Sequence, residues 1–323
     1  MSSKKTKSVA ILGAGAFGTA LAIMYSRARD VALCTCFEEH MNAMKESMEN
    51  EYLQDFKLPR NIDIRTTGSL QSGQFDYLLW AFPTTPTPQI LETLKSTIDG
   101  SCVVICSKGL LQDASFLFDA FGAVLRRSTL GYLAGPNFAI ELARNALSAA
   151  DIVCQNIGDA ELMAKDLSTE SFKLFPCDDL VGAQICGAVK NVAAIVCGMA
   201  IGLTSAQNTH AALLSFAFAE MKSLGLKLGA KEKTFYGLCG LGDLVLTASS
   251  ETSRNLSLGL KIAHGERLDE IMRRTPAACE GYSTVSQIVS LAVKHNVEMP
   301  ICQAVCQILF ENASPEIILD VFK

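Results

Sequence analysis

The chain has 323 residues, 49% of them hydrophobic and only 19% charged, with a formal net charge of −5. That composition excludes a disordered chain and gives enough core for two domains of roughly 150 residues each. The acidic balance, with no basic tract beyond Lys4, Lys5 and Lys7, argues against a nucleic-acid-binding surface.

Ser8 to Leu12 is a short apolar run, followed by Gly13-Ala-Gly15-Ala-Phe-Gly18 and a helical stretch from Thr19 to Arg27. A GxGxxG set between a strand and a helix is a dinucleotide fingerprint. Gly13 permits the tight turn, Gly15 lets a pyrophosphate approach the backbone, and Gly18 allows close helix–strand packing. The second strand, Val31 to Cys36, ends in Phe37-Glu38-Glu39, and Glu38 stands 20 residues past Gly18, either as the acid that accepts the adenosine ribose hydroxyls or as a surface glutamate opening the next helix. An NAD(H) or NADP(H) cofactor follows, with NAD(H) favoured because Glu38 repels a 2′-phosphate. Further strands are expected at Ile62–Arg65, Tyr77–Phe82, Ser101–Cys106, Leu130–Ala134, Asp151–Cys154 and Phe172–Phe175, with a helix over Ala139–Arg144. Lys108 stands just past a strand's carboxyl end, where ligands gather in an open parallel sheet. Gly135-Pro136-Asn137 forms another strand-to-helix junction.

No convincing strand follows Asp178. The pattern is therefore α/β: a Rossmann-like dinucleotide-binding domain over residues 1–180 with an all-α domain over 181–323. The second domain opens on VGAQICGAVKNVAAIVCGMAIGL, Val181 to Leu203, an almost wholly apolar stretch with Lys190-Asn191 at its middle. A helix apolar on every side is a domain core or a membrane span. A mid-span lysine penalises insertion by about 2.5–3.5 kcal/mol, so a buried soluble helix is expected, with no membrane insertion. Burial lowers a lysine's pKa unless an anion sits close. Asp243, framed by Gly237, Gly240 and Gly242, is the expected partner, with a helix N-cap as its other reading. Ser253-Arg254-Asn255 supplies a hydroxyl, a guanidinium and an amide for a phosphate or carboxylate.

Twelve cysteines without a secretory signal predict reduced thiols and a cytoplasmic protein. Cys34/Cys36 and the pairs Cys102/Cys106 and Cys302/Cys306, taken as helical, have metal-like spacing. With no CxxC and four scattered histidines, no metal is expected.

Together GAGAFG, the strand ending in SKG, AGPNFAIE, GAVKNVAAI, NTHAAL, GLGDLVLT and SRN resemble the soluble NAD(P)-dependent glycerol-3-phosphate dehydrogenases, in particular the bacterial type, over nearly the whole chain. The resemblance implies reversible reduction of dihydroxyacetone phosphate to sn-glycerol 3-phosphate, supplying phospholipid synthesis, by a homodimer. It further implies that Lys190 exchanges the proton at the substrate's C2 oxygen, with Lys108 and Asp243 beside it. Gly135, Asn137, Asn191, Ser253, Arg254 and Asn255 would complete the substrate site. Ala16, Phe17, Phe37, Lys108, Ala139, Arg254 and Glu280 would touch the cofactor, together with the glycines and Glu38. Phe17 replaces the family's usual tryptophan, Phe37-Glu38-Glu39 is closer to the eukaryotic pattern, and Phe216 stands where bacterial members carry arginine. Hydroxyacid and 6-phosphogluconate dehydrogenases share the architecture but not GLGDLVLT with SRN. A non-catalytic dinucleotide sensor has no need of Lys108, Lys190 and Asp243 together.

Overall fold

Short β-branched and aliphatic runs punctuated by glycine and polar turns build the N-terminal half. In this computed structural model, which describes residues 6–274 and 279–323, they alternate with helices. Lys4 and Lys5 lie outside the described residues. In chain order the elements are β1 (Val9–Leu12), α1 (Ala16–Tyr25), β2 (Val31–Thr35), α2 (Glu38–Ser47), β3 (Glu49–Asn50), β4 (Leu53–Lys57), β5 (Ile62–Thr66) and β6 (Tyr77–Trp80). There follow α3 (Thr87–Ile98), β7 (Cys102–Ile105), α4 (Leu117–Val124), β8 (Thr129–Ala134), α5 (Ala139–Ala143), β9 (Ser148–Val153), α6 (Ile157–Leu167) and β10 (Phe172–Cys177). The main sheet has the order β10-β9-β8-β7-β6-β1-β2-β5. β1 runs parallel to β2 and β6, β6 to β7, β7 to β8, β2 to β5 and β9 to β10. Its central strands, such as Val9-Ala-Ile-Leu12, are buried along their whole length, as befits a sheet covered on both faces. The strand order reverses at β1, which places the glycine-rich loop at the topological switch point.

One sequence expectation needs correcting here. Cys102 opens a strand and Cys106 lies just beyond it, so that pair has no helical spacing; of the two pairs, Cys302/Cys306 is the one on a helix. The hairpin β3–β4, antiparallel and only two residues long on one side, was not anticipated. Met48, in the left-handed conformation at φ 52°, ends α2 and turns the chain into it.

The second half is helical: α7 (Leu180–Thr204), α8 (Gln207–Lys227), α9 (Glu232–Phe235), α10 (Asp243–Ser249), α11 (Arg254–Ala263), α12 (Leu268–Arg274), α13 (Glu280–Lys294) and α14 (Pro300–Phe310). Among the described residues α7 is the one helix long and apolar enough to cross a membrane, yet it is buried continuously from Gly182 to Ala200. It forms the axis of a core shared with α8, α11, α13 and α14. Each Val, Ile or Leu so buried contributes about 1.5–3 kcal/mol. Glycine lets α7 and α11 meet backbone to backbone. A Cβ added at Gly198 would lie 2.0 Å from the Leu256 carbonyl oxygen, and one at Gly259 would lie 1.9 Å from that of Ile195.

The chain divides into two compact units. One comprises residues 1–107, 118–133 and 137–180; the other comprises 108–117, 134–136 and 181–323. The loops after β7 and β8, carrying Lys108 and Gly135, therefore belong with the helices.

Candidate active site

In the sheet unit the glycine loop leaves β1 and enters α1. Gly13 adopts φ +115°, and a Cβ there would meet the Ala81 and Phe82 backbone at 2.7 Å. A Cβ at Gly18 would lie 1.9 Å from the Gly13 oxygen, whereas one at Gly15 would meet nothing within 4 Å. Two glycines are thus required by packing, and the middle one borders open space. Gly15 is also the N-cap of α1, whose first turn, including Ala16 and Phe17, carries no acidic side chain and no side-chain cap. Unfilled N–H donors at a positive helix end favour a phosphate. These residues fit a dinucleotide. Phe37, 71% exposed, and Glu38, also exposed, stand at the start of α2, beyond the end of β2. Asn137 donates to the Ala149 carbonyl at 3.4 Å, while its own amide oxygen is buried with no hydrogen-bond partner among the described residues. Ala139 begins α5.

In the helical unit the geometry converges on Asp243. This residue opens α10 and is 1% exposed. Just before it the chain makes a wide turn closed by Gly242 N–H donating to the Gly237 oxygen, five residues back, at 3.1 Å. Gly240 is indispensable to that turn, because a Cβ would lie 2.2 Å from the Phe235 oxygen. Lys190 Nζ donates to Asp243 Oδ1 at 2.5 Å, and Lys108 Nζ donates to Oδ2 at 2.8 Å. Each carboxylate oxygen thus takes one lysine. Lys190 also reaches Thr247 Oγ1 at 3.2 Å, and Lys108 reaches the Gly135 oxygen at 3.1 Å. Gly135 presents that carbonyl from φ +149°, a backbone conformation that favours glycine.

One buried and one half-buried ammonium group against one carboxylate leave an excess positive charge with little water to screen it. Burial pulls the Lys190 pKa down, Asp243 pulls it up and Lys108 pulls it down again, leaving it at about 7. For Asp243, burial acts upward, but Lys108 and then Lys190 outweigh it and hold the carboxyl below its ordinary value. The result is an ammonium that releases its proton near neutrality beside a carboxyl held below its ordinary pKa.

Asn191 and Asn255 do not join that cluster. Asn255 Nδ2 donates to Asn191 Oδ1 at 2.9 Å, and Gly281 N–H donates to Asn255 Oδ1 at 3.2 Å. The pair ties the first turn of α13, which Glu280 opens, to α7. Ser253 caps α11 by accepting from Leu256 N–H at 3.3 Å, leaving Arg254 exposed in the first turn. Thr247, not singled out in the sequence, is the added member of the cluster. Its spacing of four residues from Asp243 on one helix was the available signal.

The fold and the glycine loop define a dinucleotide-dependent oxidoreductase. Residues 8–160 match the model of the NAD-dependent glycerol-3-phosphate dehydrogenase N-terminus, and residues 179–320 match that of the C-terminus. The chain belongs to the NAD-dependent glycerol-3-phosphate dehydrogenase family. It is 40% identical to the glycerol-3-phosphate dehydrogenase [NAD(P)+] of Maricaulis maris, over 95% of this chain and 93% of that one. It is 37% identical to the enzyme of the same name from Parvibaculum lavamentivorans, over 94% and 92%. The crystal structure of glycerol-3-phosphate dehydrogenase from Coxiella burnetii superposes with a TM-score of 0.92 at 30% identity, covering 98% of this chain and 99% of that one.

Proposed function

We propose that this enzyme reduces dihydroxyacetone phosphate reversibly to sn-glycerol 3-phosphate, with Lys190 exchanging the proton at the C2 oxygen. The observation that carries this is a buried lysine whose pKa lies at about 7, held on a carboxylate that a second lysine shares. The bound dinucleotide supplies the hydride. As C2 accepts it, the carbonyl π electrons move to oxygen, and the Lys190 ammonium gives that oxygen its proton. An acid with a pKa near the working pH is best matched to this task. Lys108 adds positive charge where the oxyanion develops. Asp243 keeps both lysines in place and makes the Lys190 ammonium available at neutral pH. Thr247 Oγ1, which donates to the Asp243 carbonyl, also accepts from the Lys190 ammonium.

The same reading puts the substrate's phosphate at the first turn of α11, where the Arg254 guanidinium is exposed. Asn137, whose amide oxygen has no hydrogen-bond partner among the described residues, suits a hydroxyl of the substrate, and Gly135 serves through the carbonyl that accepts from Lys108. Asn191 and Asn255 act by fixing the start of α13, where Glu280 stands; the resemblance assigns Glu280 to the cofactor. Phe37 and Glu38 face the adenosine ribose, and Glu38 makes NADH at least as good a cofactor as NADPH. Ala16, Phe17 and Ala139 line the dinucleotide. The product feeds phospholipid synthesis in the cytoplasm, in keeping with twelve free cysteines. Exposed Phe216, Phe322 and Tyr236 provide apolar surface for a homodimer.

The test is oxidation of NADH and of NADPH, each measured separately with dihydroxyacetone phosphate and with unphosphorylated dihydroxyacetone. Turnover of the phosphorylated substrate with NADH is expected. An NADPH preference of about tenfold or more, about 1.4 kcal/mol, would remove the role given to Glu38.

A further inference from the structure

The dinucleotide loop is held from behind by a side-chain relay outside the family motifs. Its hub is Asn50, the second residue of β3 and 2% exposed. Asn50 Nδ2 donates to the Ala14 carbonyl at 2.9 Å and lies 2.7 Å from Thr19 Oγ1. A carbonyl accepts only, so the Asn50 amide has a single orientation and Oδ1 is its acceptor. That oxygen takes the Tyr52 N–H at 3.1 Å and His40 Nε2 at 3.3 Å. His40 Nε2 must therefore carry a hydrogen. In the neutral ring Nδ1 is then an acceptor, and it faces Thr35 Oγ1 at 3.2 Å. Thr35 ends β2, and its hydroxyl oxygen accepts Phe37 N–H at 3.3 Å. The Tyr52 ring packs edge-on to His40, with centroids 5.5 Å apart, and fixes the imidazole plane.

The relay thus joins the two places where the dinucleotide is held. One end is the Ala14–Gly15 peptide, between the first two fingerprint glycines; the other is the turn at Phe37, past β2. A trans peptide points its C=O and N–H in opposite directions. With the Ala14 oxygen drawn onto Asn50, the Gly15 N–H points away from Asn50, and the space beside Gly15 is open. In a glycine-flanked loop that peptide is otherwise free to turn over.

We propose that Asn50 and His40 are positioning residues for the dinucleotide, holding the Gly15 N–H toward the pyrophosphate and coupling it to the strand end that carries the adenosine ribose. The inference rests on dinucleotide binding and is independent of the substrate.

The test is equilibrium binding of NADH to the full chain, by nicotinamide fluorescence with no substrate present, and displacement of NADH by ADP-ribose. Asn50→Ala should weaken NADH about tenfold, the loss of one or two hydrogen bonds, and ADP-ribose by the same factor. His40→Ala should weaken both about threefold, and His40→Gln, which keeps an N–H donor for Asn50, should recover most of that. Because His40 acts through Asn50, the double variant should bind no worse than Asn50→Ala alone. In turnover, KM for NADH should rise while kcat at saturating NADH holds. Additive losses would overturn the relay, since His40 would then be acting on its own. Unchanged binding in His40→Ala, or NADH weakened while ADP-ribose is not, would overturn it as well. Melting of the cofactor-free variants controls for folding. Should Asn50→Ala fail to fold, the two substitutions at the partly exposed His40 decide the question by themselves. Wild-type protein that binds NADH without reducing dihydroxyacetone phosphate removes the substrate assignment and leaves this inference standing.

Discussion

Asp243 in the helical unit and Asn50 in the sheet unit are both buried polar hubs, each joining distant segments, but one is charged and the other neutral. Asp243 gathers Lys108 and Lys190, which lie 135 and 53 residues away in sequence. Asn50 gathers Ala14, Thr19, His40 and Tyr52 through an amide that carries no charge. A buried ion pair loses hydration and recovers it only through good geometry, so it is a poor device for stability alone. What it provides is a pKa moved to where a proton can be exchanged. The amide orients its neighbours and titrates nowhere. Chemistry and orientation are thus assigned to different kinds of hub.

Removing Lys190, the proposed proton donor, should break the comparison most visibly. Lys190→Ala should lower turnover by about 10²–10⁴-fold, the span of general acid catalysis, while NADH affinity stays nearly unchanged. Retention of more than about a tenth of wild-type activity, well short of that span, would show that the proton comes from elsewhere. The wild-type pH profile carries the same information. Reduction needs the ammonium, so its rate should fall as pH rises through about 7, and oxidation, which needs the free amine, should rise. Asp243→Asn removes the anion that raises the Lys190 pKa. The alkaline limb of the reduction profile should therefore move to lower pH, and turnover at pH 7 should drop about 10–100-fold. A limb that stays in place would mean that another group titrates.

Arg254→Ala should act on a smaller scale and on one substrate only. A charge-assisted hydrogen bond to phosphate is worth about 1.5–3 kcal/mol, so kcat/KM for dihydroxyacetone phosphate should fall about 10–150-fold. For unphosphorylated dihydroxyacetone it should hardly change. Arg254→Lys should recover part of the loss as a point charge without the planar fork. NADH affinity measured in the same variants separates substrate from cofactor. An unchanged ratio of the two efficiencies would place the phosphate elsewhere, with Lys108 the next candidate.

The charged hub was half legible in the sequence and the neutral one was not, for a physical reason. A lysine in the middle of an apolar helix demands an anion, and an acid framed by glycines answers that demand; hence Lys190 and Asp243 could be paired before any coordinates. That Lys108 would share the same carboxylate was not readable, because it depends on how the loops after β7 and β8 fold back onto the helical unit. The α/β-to-α order followed from apolar periodicity, and the described strands end at Cys177. Asn50 and His40 left no such trace. Polar residues in a two-residue strand and an amphipathic helix resemble any solvated surface, and their partners are chosen by the turn at Met48. Cys102 and Cys106 mislead for a related reason: spacing of four suggests a helix only where the segment is one.

A third buried polar group, Glu220 on α8, tests whether a charged hub with no chemistry to perform shows itself in stability instead. It accepts Ile301 N–H at 2.5 Å and Cys302 N–H at 3.1 Å, closing the start of α14 behind Pro300, which has no N–H to offer. Unlike Asp243 it has two backbone dipoles rather than two lysines. Burial pushes its pKa from 4.5 up to about 7, and the two N–H groups pull only part of the way back. A carboxyl with a raised pKa in the folded state binds its proton more tightly there than in the unfolded chain. Below pH 4.5 both states are protonated and nothing is lost. Between 4.5 and about 7 the unfolded chain ionises first, so stability falls as pH rises; above about 7 the loss is constant. Its full size is on the order of 3 kcal/mol. Glu220→Gln keeps an oxygen for the Ile301 N–H and cannot ionise. Urea unfolding at pH 5 and pH 8 should therefore show the variant gaining on the wild type by about 2–3 kcal/mol between the two, with turnover and NADH binding unaffected. A gap that does not widen with pH would mean that the N–H donors hold Glu220 ionised throughout, and that this hub, too, is simply an orienting one.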